Sequence, residues 1–115
     1  MKDNQIGQNV RTYRDVLIRE SKIGDNSLVG DDCFITGCEI GKNVIIERRN
    51  LLFNSMIGSR TTLGWNNTIR NAEIGQFCSV AWNCTIGGAQ IFRAVKLFCM
   101  EHNVGSISLY IHQNP

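Results

Sequence analysis

The amino-acid sequence predicts an all-β fold, a parallel β-solenoid of about five triangular coils, and three observations carry this prediction. An Ile-Gly pair recurs every 17 residues, at Ile6, Ile23, Ile40, Ile57 and Ile74. Each unit divides into steps of six, six and five residues, and each step after Ile23 opens on an aliphatic residue. We call the first residue of each step its opener. A small or medium-sized side chain stands two positions before nearly every opener.

The spacing between the openers and the small residues indicates short strands joined by tight corners. Residues two positions apart in a strand point to the same face, so both columns are expected to face inward. Glycine and polar pairs such as Asp25-Asn26 follow many openers and suit corners with unusual backbone angles. Three strands and three corners per unit therefore predict a triangular prism whose coils stack about 4.8 Å apart. The openers of the four clear units are Ile23, Val29 and Ile35; Ile40, Ile46 and Leu52; Ile57, Leu63 and Ile69; and Ile74, Val80 and Ile86.

Composition indicates one domain with no mark of a nucleic-acid or membrane partner. The 115 residues include 12 basic and 10 acidic side chains, a net charge of +2, and no apolar run of the length that spans a bilayer or forms a secretory signal. Four of the five cysteines, Cys33, Cys38, Cys78 and Cys84, occupy inward small-residue positions. We therefore expect all five to be reduced thiols in a cytoplasmic protein, and their spacing predicts no metal site.

The repeat predicts two regions, a β-helix over 1–90 and a non-repeat tail over 91–115. Within the first coil, helical spacing makes a helix over 11–20 the alternative, although the 17-residue register favours a coil. In the tail, apolar spacing indicates a short helix over 91–102, and alternation indicates a strand over 106–112. The tail is expected to cap the exposed edge of the last coil.

Two further pairs recur with the repeat. Asn50 and Asn67 fall in one inward column, where stacked amides would satisfy each other as a structural ladder. Trp65 and Trp82 also lie 17 residues apart and should stack on an outer corner. With Phe53 and Phe77, which also point outward, they form a patch more typical of a protein interface than of a ligand site.

The repeat over residues 6–90 resembles the hexapeptide-repeat acyltransferases, whose fold is the left-handed parallel β-helix. The stretch IGQFCSVAWNCTIGGA at Ile74–Ala89 is similar to the approach to the active-site loop in the xenobiotic acetyltransferase branch and related sugar O-acetyltransferases. This resemblance implies left-handed coils, acetyl-CoA as co-substrate, a hydroxyl of a sugar or small molecule as acceptor, and a homotrimer. Further coils that hold CoA follow in the family, so the resemblance implies a relative shortened at its C terminus.

The resemblance also bears on the catalytic base. In the family, a catalytic histidine directly follows the glycine-rich end of the coil, commonly as GGANH. This sequence reads GGAQI at Gly87–Ile91, so Ile91 stands where the histidine is expected. The chain holds two histidines, His102 and His112. His102 follows Glu101 and is the candidate general base, because imidazole titrates near neutral pH.

Two functional hypotheses follow from the sequence. The first is an acetyltransferase that uses acetyl-CoA with His102 as its base; the sequence indicates no particular cofactor-binding residue. The second is a shortened, catalytically inactive relative with a structural or trimerising role. The resemblance supports the first, and Ile91 at the histidine position supports the second.

Overall fold

The structure, a computed structural model, describes residues 4–87 in full and the backbone of two further strands at 95–97 and 108–109. Every described element is a strand, and the strands form three parallel sheets. Sheet A contains β1 (Gln5–Ile6), β4 (Lys22–Ile23), β7 (Glu39–Ile40), β10 (Met56–Ile57), β13 (Ala72–Ile74) and β16 (Val95–Leu97). Sheet B contains β2 (Arg11–Thr12), β5 (Leu28–Val29), β8 (Ile45–Ile46), β11 (Thr62–Leu63), β14 (Ser79–Val80) and β17 (Ser108–Leu109). Sheet C contains β3 (Leu17–Arg19), β6 (Phe34–Thr36), β9 (Leu51–Phe53), β12 (Thr68–Arg70) and β15 (Thr85–Ile86).

The register between coils is the 17-residue repeat itself. Ile40 pairs with Ile23 on one side and with Ile57 on the other, and Ile57 pairs with Ile74. The predicted column of isoleucines is confirmed, and the chain forms a left-handed parallel β-helix of about five coils. The strands at residues 11–12 and 17–19 show that the alternative helix over 11–20 is wrong.

The core is the narrow interior of the prism, and the inward columns fill it. From Ile23 to Ile86 the openers are buried, together with the small residues that precede them. The first coil forms the open end, where Ile6 remains 48% exposed because no coil lies beneath it. This exposure is expected at the end of a solenoid, whose coils bury only the surfaces they share with neighbours.

Each corner between residues 4 and 87 turns through one residue with positive φ. In the second coil these residues are Asn26 (φ 63°), Asp32 (φ 58°) and Gly37 (φ 66°). Glycine and asparagine adopt this left-handed conformation most readily, which explains their recurrence at the corners. The corners are therefore tight because of the backbone, and their outward side chains are left to vary.

Beyond Gly87, two strands extend sheets A and B past the last complete coil. Ile74 pairs with Leu97, and Val80 pairs with Leu109. The strand at 95–97 stands where apolar spacing indicated a helix, because pairing with β13 at the sheet edge overrides that local pattern. The strand β17 lies within the range 106–112 that alternation indicated. The remainder of the expected helix and strand lies outside the described residues.

The cysteines differ from expectation at one position. Cys33, Cys38 and Cys84 are buried thiols, whereas Cys78 is disulfide-bonded and its partner is not among the described residues. The expectation that all five are reduced is therefore wrong for Cys78. The repeat assigned this side chain to the interior, but a spacing pattern carries no information on whether an inward cysteine is oxidised.

Candidate functional site: an axial groove at one corner

A column of glycines shapes the corner between sheets A and B. Gly24, Gly41, Gly58 and Gly75 each follow the opener of a sheet A strand. A Cβ on Gly58 would lie 2.5 Å from the carbonyl carbon of Gly75, so only glycine permits this close stacking of coils. Because these positions carry no side chain, the corner is recessed along the length of the prism.

The recess forms a shallow groove, here called the axial groove. Two adjoining hollows of about 690 and 540 Å³ share Lys22, Ile40, Gly41 and Ser59, and together they run along sheet A and its corner. No cluster of three or more His, Cys, Asp or Glu side chains that could hold a metal ion occurs in the described part of the chain.

The two ends of the axial groove differ in character. Lys22 and Lys42 line the end near the first coils. On the sheet A face, Lys22 Nζ lies 4.0 Å from Glu39 Oε2. Met56, Glu73 and Phe77 line the end near the last coils. An elongated ligand in this groove would therefore meet lysines at one end, and two large apolar side chains with one carboxylate at the other.

Phe77 holds an unusual backbone conformation at the end of the groove near the last coils. Its φ is 59°, a region that a bulky side chain rarely adopts, whereas asparagine holds the equivalent position in the first three coils. The Arg60 guanidinium lies 5.8 Å from the Phe77 ring centroid. Every corner uses this conformation, but among residues 4–87 Phe77 is the one aromatic residue that holds it. Because unfavourable conformations of bulky side chains concentrate at functional sites, we take this end of the groove as the candidate site.

His102 lies in the sequence between β16 and β17, the strands that extend sheets A and B. Ile74 and Val80 are six residues apart, whereas their partners Leu97 and Leu109 are twelve residues apart. The connection from sheet A to sheet B is thus longer beyond the fifth coil than in the coils before it. His102, His112, Gln90 and Ile91 all lie outside the described residues, so their side chains are not placed.

Gly87 is the one member of the GGAQI stretch that the structure describes. Its φ is 82°, and a Cβ there would collide with the carbonyl oxygen of Arg70. A glycine is therefore required where the chain leaves the last complete coil, whether or not the following residues are catalytic.

The buried amides are structural. Asn50 and Asn67 both donate from Nδ2 to the Gly64 carbonyl, at 2.8 and 3.0 Å. Asn50 Oδ1 accepts from the Asn67 backbone N–H at 3.2 Å, and Asn67 Oδ1 accepts from the Cys84 N–H at 2.8 Å. The expected ladder is present, but it runs through the backbone rather than from one side-chain amide to the next.

The buried thiols make poor nucleophiles. Burial raises the pKa of the Cys33, Cys38 and Cys84 thiols, because the thiolate would lose its hydration inside the prism. Cys33 Sγ donates to the Glu47 carbonyl at 3.1 Å, which adds to its structural role. Since the thiolate is the reactive form, these side chains serve the core rather than catalysis.

The exposed aromatic residues divide among three places. Trp65 and Trp82 stack on the corner between sheets B and C, with ring centroids 5.0 Å apart and planes 16° apart, as the sequence predicted. Phe53 lies on sheet C, where its ring centroid is 5.7 Å from that of Phe34. Phe77 lies on the corner between sheets A and B. The expectation of one patch is therefore wrong, because a triangular section sends outward residues of one coil in three directions.

Comparison with known proteins gives a match in structure alone. No family model and no curated protein sequence matches the chain. A variant of GDP-perosamine N-acetyl transferase from Caulobacter crescentus, solved with CoA and GDP-perosamine, superposes with a TM-score of 0.59 at 17% identity. The match covers 82% of this chain and 47% of that one, so the chain spans about half the length of this relative.

Other solved structures match at lower similarity. A hexapeptide transferase family protein from Anaplasma phagocytophilum is 15% identical, with 98% of this chain and 69% of that chain covered and a TM-score of 0.46. UDP-N-acetylglucosamine acyltransferase from Campylobacter jejuni is 12% identical, with coverage of 71% and 62% and a TM-score of 0.44. The Caulobacter match supports the β-helix fold of this chain, which it shares with an enzyme named for acetyl transfer to nitrogen.

Proposed function

We propose that the protein is an acyltransferase that moves an acetyl group from acetyl-CoA to a sugar or small-molecule acceptor, as a cytoplasmic homotrimer. The acceptor atom is a hydroxyl oxygen, as the sequence resemblance implies. An amine nitrogen is the alternative, because the superposed Caulobacter enzyme is named an N-acetyl transferase.

One observation supports this proposal: the axial groove runs along the corner between sheets A and B, and His102 lies in the sequence between the two strands that extend those sheets, β16 and β17. From Gly24 to Gly75 the groove spans three coil steps, about 14 Å at about 4.8 Å per coil. This length suits a thin, extended ligand such as the pantetheine arm of CoA. Met56, Glu73 and Phe77 line the end of the groove nearest β16 and β17.

In the proposed reaction, His102 acts as the general base. The acceptor hydroxyl attacks the thioester carbonyl while the His102 imidazole takes the hydroxyl proton. The new C–O bond forms, the C–S bond breaks, and the proton passes from the imidazolium to the departing thiolate. The products are the acetylated acceptor and CoA, and no redox partner is needed.

The test measures release of the CoA thiol from acetyl-CoA with a panel of hydroxyl- and amino-bearing sugars and nucleotide sugars. His102→Ala is expected to reduce the rate about 100- to 10,000-fold, because a positioned general base contributes about that much. His112→Ala is the matched control and should retain the wild-type rate. Equal rates in the wild type and His102→Ala would remove His102 from the mechanism. A wild-type chain that neither releases nor binds CoA would refute the proposal.

The second candidate is a catalytically inactive, structural relative. It is favoured by Ile91, which stands where the resembled family has its histidine. CoA binding without thiol release would support this candidate. Thiol release that depends on an added acceptor would exclude it.

A further inference from the structure

The disulfide of Cys78 distinguishes this residue from the other buried cysteines of the prism. Cys78 is 2% exposed and occupies an inward position at the corner between sheets A and B. Cys84, the next inward cysteine along the chain, is a free thiol. In the four earlier coils the residue equivalent to Cys78 is not a cysteine. These equivalent residues are Val10, Ser27, Val44 and Thr61. The coils therefore close at this corner without a disulfide, and the bond at Cys78 serves another purpose.

The partner of Cys78 follows from the cysteine content of the chain. The chain has five cysteines, and Cys33, Cys38 and Cys84 are free thiols. The structure contains a single chain, so the bond joins two cysteines of that chain. Cys99 is then the one cysteine that remains as a partner, although its side chain lies outside the described residues.

The described backbone agrees with a bond between Cys78 and Cys99. Leu97, the last residue of β16, pairs with Ile74 on the coil beneath it. Cys99 follows Leu97 by two residues, and Cys78 follows Ile74 by four. Neighbouring strands lie about 4.8 Å apart, which is within the Cα separation of about 4.4–6.8 Å that a disulfide spans. Cysteines on successive coils can therefore bond without displacing the strands.

We infer that Cys78 and Cys99 form a redox-sensitive disulfide that holds the connection between β16 and β17 against the last complete coil. The consequence for catalysis rests on the proposed function, because that connection contains His102. His102 follows Cys99 by three residues, which limits their Cα separation to about 11 Å. The bond thus confines the proposed base to the end of the axial groove that Phe77, the neighbour of Cys78, lines.

The redox sensitivity follows from the proposed cytoplasmic location. Disulfides are rare in the reducing cytoplasm, and those that form there are mostly redox-sensing or catalytic. Two successive exchanges with a small disulfide such as oxidised glutathione form the bond. The first protein thiolate attacks the small disulfide and releases one glutathione thiolate, and the second protein thiolate displaces the other. The two protein thiols lose two electrons, the small disulfide gains them, and the two protons pass to the released thiolates.

Peptide mapping without reduction tests the bond, after equilibration with oxidised glutathione and alkylation of the free thiols. Trypsin separates the two cysteines into the peptides 71–93 and 97–115, which the disulfide is expected to join. Cys84 lies in the same peptide as Cys78, so Cys84→Ser is the matched control and should keep the link. Cys78→Ser and Cys99→Ser should each lose it. Five titratable thiols in the wild type, or a link that Cys78→Ser keeps, would overturn the inference.

Backbone hydrogen exchange tests whether the bond holds the strands beyond the last complete coil. β16 and β17 pair with β13 and β14. A bond that closes a loop of about 22 residues is expected to lower the population of the open form about 100-fold. The amides of β16 should therefore exchange up to about 100-fold faster in Cys99→Ser than in the wild type. The amides of β10 are the internal control and should not change. Equal exchange at β16 in both proteins would overturn the inference.

Acetyl transfer tests the consequence for His102. Cys99→Ser is expected to lower kcat about 10- to 100-fold, because a displaced catalytic group is poorly oriented. KM for acetyl-CoA should not change, since the groove residues are unaltered. Reduction of the wild type should lower kcat equally, and oxidised glutathione should restore it in the wild type but not in Cys99→Ser. CoA is measured by chromatography, because a thiol reagent would also react with the reductant.

The outcomes distinguish this inference from the proposed function. An active wild type that lacks the bond would overturn the inference and leave the acetyl-transfer proposal standing. A bonded wild type that neither binds nor releases CoA would refute the acetyl-transfer proposal, and the exchange of β16 would still decide whether the bond holds the strand. Equal kcat in the bonded wild type and in Cys99→Ser would overturn the assigned effect on His102.

Discussion

Two corners of the same repeat have opposite shapes. Both turn through a residue in the left-handed region, with φ of 62° at Arg60 and 61° at Asn66. At the corner between sheets A and B, Gly58 leaves the surface recessed as part of the axial groove. At the corner between sheets B and C, Trp65 projects and stacks on Trp82. The backbone sets the turn, and the outward side chain decides whether the corner is a groove or a ridge.

Beneath the surface the two corners are supported in one way. At the first, Ser27 Oγ donates to the Gly41 carbonyl at 3.0 Å and accepts from the Val44 N–H at 3.1 Å. At the second, Asn50 donates to the Gly64 carbonyl and accepts from the Asn67 N–H. A small polar side chain thus satisfies a donor and an acceptor of the next coil at each corner. The four predictions below test how far this likeness extends, from the largest expected effect to the smallest.

The interior of the glycine corner should tolerate no charge. Ile57 is 2% exposed, so Ile57→Asp would bury an unpaired carboxylate and is expected to cost more than about 4 kcal/mol, enough to unfold a small domain. Arg60→Asp, on the outside of the same corner, should cost less than about 1 kcal/mol. Thermal melts of the two variants measure the difference. Similar melting temperatures would mean that the inward and outward assignments are wrong.

The two corners should differ in their tolerance of a methyl group. A Cβ on Gly58 would lie 2.5 Å from the carbonyl carbon of Gly75. A Cβ on Gly30, at the corner between sheets B and C, would lie 3.1 Å from the Arg48 nitrogen and the Glu47 carbonyl carbon of the next coil. Gly58→Ala is expected to cost about 3 kcal/mol, or about 10 °C in Tm, because the coils must separate. Gly30→Ala should cost less than about 1 kcal/mol. Urea unfolding of both variants gives the comparison, and an equal loss would contradict the close stacking at the glycine corner.

The amide support of the tryptophan corner should matter more than the exposed amide beside it. Asn67→Ala removes the buried Oδ1 atom that accepts from the Cys84 N–H at 2.8 Å and is expected to cost about 2 kcal/mol. Asn66→Gly keeps the left-handed turn, removes only an exposed side-chain bond, and should change stability by less than about 0.5 kcal/mol. Chemical denaturation distinguishes the two. A larger loss for Asn66→Gly would show that the outer bond holds this corner.

The buried thiols should make stability fall in alkaline solution. Burial raises the pKa of the Cys33 thiol, so the folded state holds the proton more tightly than the unfolded state. The contribution of the Cys33 thiol to the free energy of unfolding is fully present below about pH 8.5, the ordinary pKa of a thiol. It is lost as the pH rises through the higher pKa of the thiol in the folded state. Cys33→Ala should flatten the decline of Tm between pH 8.5 and 10.5. A decline as steep as in the wild type would mean that Cys33 does not contribute to it.

The features predicted from the sequence are those that repeat. The inward columns, the pairing of Ile40 with Ile57 and the stacked tryptophans all follow from a 17-residue spacing, because equal spacing places equal environments one above another. The axial groove was not predicted, although its signal was visible in the glycines that follow the sheet A openers. Those glycines were interpreted as turn residues alone. Their effect on the surface depends on what stands beside them in space.

Other features depend on which parts of the chain meet in three dimensions. Phe77 is separated from Trp82 because the triangular section places successive corners on different sides of the prism. The strand β16 replaces an expected helix because an unpaired sheet edge is available at β13. Cys78 forms a disulfide although the repeat predicts a buried free thiol there. His102 as the proposed base stays a prediction, since its side chain lies outside the described residues.

The sequence alone determined the fold, because each coil of a solenoid contacts the coil before and the coil after it, and a strict period specifies those contacts locally. It determined the composition of the core for the same reason. The tertiary structure decided which outward residues share a surface. Outward residues from different sheets are brought together only by the closure of the triangular coil, which set the axial groove along one corner and the stacked tryptophans along another.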